Sequence, residues 1–288
     1  MPSETDPKVA APAPARRVIS NDPSLTNMKL PGGPDVGTTS LGTEDFAGER
    51  VDLPSRGVLY PKTNPAAAGF VMVRPMTTKE EEILITERFH RQGTAIDMIL
   101  SRCILTPKIN TLDLLSGDRL FILFYLRAIS YGPEYSFKVR MKGGDGGSHE
   151  QEVKTDVSKL DVITLPEGFV DPWVYQYNGT TYELRLSRGK DEQEGVIERM
   201  RQKKRNPNGA DSSPTDALKR QIVSVNGDSD PAVISNHVDR MIAKHAYSLR
   251  QEIAAKIPGP KLKILVMNTE TEEEEEITIG ITESFFRP

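Results

Sequence analysis

The segment Leu120-Phe-Ile-Leu-Phe-Tyr-Leu126 constrains this chain more than any other feature. It continues from Ser116-Gly-Asp-Arg119 into Arg127-Ala-Ile-Ser-Tyr131, which gives it helix length. A helix that is apolar nearly all round has no solvent face, so other elements must enclose it. The chain is therefore expected to build a compact helical core around residues 116–131, with Ser116 as N-cap and Gly132 as a left-handed stop. No apolar run reaches the roughly 20 residues that cross a bilayer, so a transmembrane reading is set aside.

Two further helices are expected to pack against that segment. Thr77-Thr-Lys-Glu80 has the spacing of a capping box, in which two side chains satisfy each other's orphan N–H groups. The helix it opens carries Ile83, Leu84 and Phe89 on one side. A second start, Thr94-Ala-Ile-Asp97, precedes Ile96, Ile99, Leu100, Cys103 and Ile104, a core-facing stripe that Pro107 ends. Cys103 is the single cysteine, so no internal disulfide exists; on that stripe it reads as a small core hydrophobe. Ahead of these helices, Val51-Asp-Leu-Pro-Ser-Arg-Gly-Val-Leu-Tyr-Pro61 reads as a loop punctuated by Pro and Gly, and Gly69–Arg74 as a strand.

After Pro133 the period becomes two. Tyr135, Phe137 and Val139 alternate with polar residues, Gly143–Gly147 makes a turn, and Gln151–Val157 returns. Asn178-Gly179 sets a second hairpin between Val174–Tyr177 and Thr181–Leu186. Helix is expected over Asp191–Lys204, Thr215–Val225 and Pro231–Lys256, with a polar loop at Arg205–Pro214. A last hairpin pairs Leu262, Ile264 and Val266 with Ile277, Ile279 and Ile281, and its turn carries Glu272–Glu276. The class is α+β. Its divisions are an N-terminal arm at 1–48, a helical core with its entry loop at 49–133, a β-hairpin region at 134–190, a helical region at 191–260, and a C-terminal hairpin and tail at 261–288.

The arm holds seven of the 21 prolines and one aromatic, Phe46. Such a segment cannot bury enough apolar surface to offset its ordering cost, so it is either a free tail or an extended arm lying on a neighbour. It also lacks the apolar stretch of a secretory signal. With 37 basic against 41 acidic side chains the balance is −4, which argues against a general nucleic-acid coat. The basic cluster Arg199–Arg205 reads as a solvated helix end favoured by the helix dipole, with nucleic-acid contact as the lesser reading. Gly143–Gly147 is followed by a strand, not the helix that a phosphate cradle needs. The acidic run Glu272–Glu276 lacks the spaced donors of a calcium loop. His90, His149, His237 and His245 show no convergent ligand spacing. The residues thus point to no catalytic group, cofactor or metal, and function falls to surfaces.

Four stretches together resemble one family. They are Val51–Tyr60, Arg74-Pro-Met-Thr-Thr-Lys-Glu-Glu81, Gly117-Asp-Arg119 running on through Leu126–Tyr135, and Glu283-Ser-Phe-Phe-Arg-Pro288. In this order they resemble the baseplate hub proteins of contractile-tailed bacteriophages. The resemblance implies a structural virion protein of the tail baseplate, assembled in the host cytoplasm. Its partners would be other tail proteins and further copies of itself, with no membrane and no small-molecule substrate. An assembly chaperone that leaves the particle is the alternative. The resemblance also implies a zinc-ribbon-like appendage with a Cys-x-x-Cys pair in each of two hairpins. Here Met141 with Gly144, and Met267 with Glu270, occupy those positions, so the appendage is degenerate and apolar packing of Phe137, Val139, Ile264 and Ile279 is expected to hold it. The candidate partner contacts are Leu53, Pro54, Val58, Leu59 and Tyr60 of the entry loop, with Phe285 and Phe286 of the tail. The equal alternative for the loop is that its apolar side chains cap the domain's own core.

Overall fold

A computed structural model describes residues 47–144, 146–281 and 283–286. All but the last two residues of the 1–48 arm lie outside that range. The chain enters through β1 (Glu49–Asp52), which pairs antiparallel with β2 (Phe70–Val73). Val51 therefore belongs to a strand, and the irregular entry loop begins at Leu53. Helices α1 (Thr78–Ile85), α2 (Glu87–Gln92) and α3 (Ala95–Cys103) follow, then α4 (Ser116–Tyr131). Hairpin β3 (Glu134–Lys142) and β4 (Ser148–Asp156) leads to a short strand, β5 (Val162–Ile163). Strands β6 (Trp173–Tyr177) and β7 (Thr180–Leu184) are joined by Asn178 and Gly179, both at positive φ, the geometry of a type I′ turn. Helices α5 (Gly189–Arg205) and α6 (Ser213–Gln221) precede β8 (Ile222–Val225), which pairs with β7. Then come α7 (Pro231–Asp239), α8 (Ala243–Ala254), β9 (Gly259–Pro260) against β5, and the hairpin β10 (Lys263–Met267) and β11 (Glu274–Thr278).

The main core surrounds α4, as an all-apolar helix requires. Phe121, Ile122, Phe124, Leu126 and Ala128 are buried there beside Ile99, Leu100, Val71 and Val73. A second core joins β7 and β8 to α6, α7 and α8 through Tyr182, Leu184, Leu218, Ile222, Ile234, Val238, Leu249 and Ile253. Trp173 and Ile257 pack against both, so the two cores are continuous.

The structure corrects several local expectations. Leu115, in extended conformation, is the N-cap of α4, and Ser116 is its first helical residue. Leu115 is an isolated bridge partner of Arg188, so backbone pairing takes over what a capping side chain would do. Gly132 does stop the helix, at φ 88 and ψ 164, outside the left-handed helical region. The Thr77–Glu80 box forms, but its helix breaks at Thr86, and Phe89 stands on α2. On α3 the stripe holds except for Ile96, which is exposed, and the helix ends before Pro107 because Ile104 turns extended to bridge Val73.

Residues 215–225 are half helix, half strand. Ile222-Val-Ser-Val225 is dominated by β-branched residues, which favour a pleated surface, and the free edge of β7 offers them a ladder. The stretch 231–256 breaks at Arg240–Ile242 although Ile234, Val238, His245, Leu249 and Ile253 keep one continuous helical spacing. Glu274–Glu276 lie in β11, not in the turn, which spans Asn268–Glu273.

Inside the second core the Tyr182 hydroxyl lies 2.8 Å from His237 Nε2 and 3.2 Å from His245 Nε2. One hydroxyl can donate to one ring while accepting from the other, so neutral imidazoles satisfy the cluster. Burial, and then His237, hold His245 below the ordinary value of 6.5. The unfolded chain therefore binds this proton more readily than the folded one, and stability falls as pH drops below 6.5. Thermal unfolding between about pH 7.5 and pH 5 should show this acid loss, and His245→Gln should flatten it. An unchanged slope would place the acid sensitivity elsewhere.

Candidate functional site

The residues that carry the family resemblance converge on α4. Asp118 is fully buried in the first turn of α4, where the helix dipole favours a carboxylate. Its Oδ1 accepts from Ser55 N at 2.9 Å, and its Oδ2 accepts from the Tyr60 hydroxyl at 2.6 Å. The same hydroxyl accepts from Leu115 N at 2.8 Å. Burial pushes the Asp118 carboxyl upward, while these hydrogen bonds pull it back. The loop between Leu53 and Tyr60 is bent to reach it by Arg56 and Gly57, both at positive φ. A Cβ on Gly57 would lie 2.7 Å from the Ala67 carbonyl oxygen, so only glycine fits that turn.

The two neighbours of Asp118 act as further joints. Gly117 lies so close to Pro258 that a Cβ would sit 1.5 Å from its carbonyl oxygen, which brings the β9 segment directly onto α4. Arg119 donates to the Thr111 carbonyl at 2.6 Å, to Asp97 at 3.3 Å and to Glu192 at 3.2 Å, so α3 and α5 meet at one guanidinium. Burial pushes the Glu80 carboxyl up, but Arg74, gripping both its oxygens at 3.1 Å, and Thr77 bring it down to about 2.

At the other end of α4, Arg127 is buried and donates to the backbone carbonyls of Gly132, Glu134 and Phe285. Its guanidinium lies 5.6 Å from the Tyr135 ring and 5.9 Å from the Phe285 ring. Phe285 packs 4.6 Å from Phe124 and 5.0 Å from both Tyr135 and Phe286. The tail aromatics thus plug the main core.

The structure seats Leu53, Pro54, Tyr60, Phe285 and Phe286 inside the chain's own core, with Leu59 half-buried. For the entry loop, partner contact and capping of the chain's own core were the two readings, and the Asp118 joint draws the loop to the second. Of the seven, only Val58 stands out in solvent, 40% exposed.

The hairpins β3–β4 and β10–β11 lie against one another at their tips. Asn268, fully buried, donates through Nδ2 to the Lys142 carbonyl at 2.9 Å and to Glu275. Its Oδ1 accepts from Glu270 N at 2.9 Å and Thr271 N at 3.3 Å. Gln151 donates to the Met267 carbonyl at 2.8 Å and accepts from Thr269 N at 3.0 Å. Gly144 N donates to Glu270 Oε2 at 3.2 Å. Phe137, Ile264 and Ile279 pack against the main core, so the apolar contacts act at the base while polar bonds clasp the tips.

Zinc does not fit here. Met141, Met267, Glu270 and the glycine supply no thiolate, and His149, whose Nδ1 lies 3.4 Å from Glu270 Oε2, is the one imidazole at the clasp.

Three contributors were not visible in the sequence: Asn268, Arg127 and the Tyr182–His237–His245 cluster. Asn268 and Arg127 bond to backbone carbonyls from distant segments, which no spacing rule encodes. The eight-residue separation of the two histidines was legible, but the tyrosine that links them was not.

Replacing Asn268 by Ala strands the Lys142 carbonyl and two amides at the clasp. Amide exchange should rise at residues 141–151 and 267–275 while α4 stays protected. A chelator should leave this protection unchanged. One equivalent of bound zinc, or unaltered exchange in the variant, would contradict the clasp.

A family model described as T4 bacteriophage base plate protein matches residues 60–287. No curated protein and no solved structure matches the chain. The matched range covers well over half of the 288 residues and contains Arg74, Glu80, Gly117, Asp118, Arg119, Arg127 and both tail phenylalanines. Its first residue is Tyr60, the hydroxyl partner of Asp118. With the joints of the fold falling within the matched range, the chain belongs to the T4 bacteriophage base plate protein family.

Proposed function

We propose that this baseplate protein works at the hub as a rigid body that fixes the spacing of neighbouring tail subunits and stays in the mature particle. Family membership carries a structural role in the phage baseplate, a place in the virion tail and contact with other tail proteins. It supports a structural protein rather than an enzyme. No described helix is long and apolar enough to cross a membrane.

The observation that carries the finer reading is the joint at Gly117-Asp118-Arg119. Three consecutive residues tie the entry loop, the β9 segment, α3 and α5 to one helix. A body braced this way transmits position instead of yielding to it. In this reading Val58, at the outside of the entry loop, touches a neighbour, and residues 1–48 extend over adjacent subunits, as their proline content favours. Self-association belongs to the same proposal. The hairpin clasp takes the place that zinc would hold in the resembling hub proteins. In the basic cluster Arg199 bonds Ser213 at 2.8 Å and Arg201 pairs with Glu198 at 3.8 Å, while Lys203, Lys204 and Arg205 are exposed at the helix end, so nucleic-acid contact stays the lesser reading.

Mass spectrometry of purified virions should find the chain at a fixed ratio to other tail proteins. Its absence from particles, despite expression in infected cells, would favour the assembly chaperone. Val58→Glu should lower incorporation into tails while leaving the melting temperature nearly unchanged, as expected of an exposed substitution.

A further inference from the structure

The hairpin β3–β4 carries a strand edge that the fold leaves open between two stops. Gly143 N bonds Gly147 O at 3.0 Å and Val157 N bonds Pro133 O at 2.9 Å. With the register Glu134↔Asp156 to Lys142↔Ser148, these two bonds fix the parity of the ladder. Odd-numbered residues of β3 face β4 with their N–H and C=O groups, and even-numbered residues turn theirs outward. Two outward carbonyls are taken: Arg127 holds that of Glu134, and Asn268 holds that of Lys142. Between them, the outward N–H and C=O groups of Ser136, Lys138 and Arg140 have no partner among the described residues.

A groove of about 610 Å³ runs along this edge, lined by Tyr135–Val139, Glu152, Thr278 and Gly280. On its far side the same parity argument applies to β11. Ile279 N bonds Leu262 O at 2.8 Å and Asn268 N bonds Glu273 O at 2.9 Å, so Thr278 also turns its N–H and C=O away from β10. The groove is thus flanked by outward-facing backbone on both walls.

We propose that this edge accepts an extended segment of a neighbouring protein by strand addition, and that the segment alternates acidic with apolar side chains. Main-chain bonds supply affinity in this mode, and alternate side chains supply specificity. The charge follows from the outer face of β3, where Lys138 and Arg140 are exposed with Lys142 at the stop. Glu152 and Glu150 stand opposite the first two on β4, so each cation has an acid on its inner side and an open place for one on the edge side. Side chains directly opposite on the added strand stand within reach of these cations, so acidic residues are favoured and basic ones repelled. The apolar positions follow from the other face, where Phe137 and Val139 are half-buried. The length follows from the stops at Glu134 and Lys142, which leave room for about five or six residues. Lysines on an edge guard against indiscriminate strand pairing, and an acidic strand is the one they admit.

The inference rests on the reading of this chain as a tail component only for the owner of the strand. The assay therefore uses the full-length purified chain and a fluorescent synthetic peptide of about eight residues alternating Glu and Val. Lys138→Pro removes one outward N–H and no ladder bond, a position at which an edge strand tolerates proline. Saturable binding that drops about tenfold or more in Lys138→Pro, and is lost with a peptide alternating Lys and Val, is the expected result. A Glu–Val peptide N-methylated on its pairing edge should fail to bind the unaltered chain, which tests the same bonds should the proline variant misfold. No binding by the Glu–Val peptide, equal binding by the Lys–Val peptide, or binding untouched by N-methylation would overturn the proposal. Self-association abolished by Lys138→Pro, in place of peptide binding, would assign the edge to a second copy. Virion content does not enter this assay, so failure here leaves the hub reading standing, and failure of that reading leaves the edge standing.

Discussion

Asp118 lies fully buried at the start of α4, and a carboxyl group taken out of water is costly unless its oxygens find donors. Ser55 N and the Tyr60 hydroxyl supply those donors, and the dipole of α4 adds its favourable end. Because the donors come from a loop some sixty residues earlier, satisfying the charge means fixing the loop. The loop cannot swing outward without leaving the carboxylate and the Leu115 amide unpaired. That constraint explains why apolar side chains that look available for a partner are spent inside the chain.

The same logic recurs at the far end of α4. Arg127 is buried with three backbone carbonyls around it, one from the C-terminal segment at Phe285. Burial disfavours its charge, and the carbonyls with the flanking aromatic faces compensate. An apolar helix with a paired acid at its head and a paired base at its foot forms a spine. The entry loop, α3, α5, the β9 segment, hairpin β3–β4 and the tail all attach to it. The attachments combine backbone partners, glycine-tight approaches and buried side-chain pairs such as Tyr60 with Asp118, which leave little room for gradual adjustment. Such stiffness suits the proposed role of setting the spacing between tail subunits.

Much of this fold was legible in the sequence because local physics decided it. The all-apolar run fixed the centre, the Thr77–Glu80 box fixed a helix start, and Asn178-Gly179 fixed a turn. Where the reading failed, a distant partner had decided. Ile222–Val225 became a strand because β7 offered an edge. The entry loop was legible from its prolines and Gly57, but its destination depended on Asp118, which the sequence shows only as one acid in a helix start. The knuckle positions showed which metal ligands were missing, yet not that Asn268 and Gln151 would join the tips.

The measurement that bears most directly on this account is the coupling between Tyr60 and Asp118. Urea unfolding of the unaltered chain, Tyr60→Phe, Asp118→Asn and the double variant closes a thermodynamic cycle. A braced joint predicts that each single change destabilises the fold by about 1–3 kcal/mol, with a coupling of about 1–3 kcal/mol between them. Single changes that cost less than about 0.5 kcal/mol, or that add without coupling, would show that the loop is held by apolar burial alone and that the buried carboxylate is not what binds it to the spine.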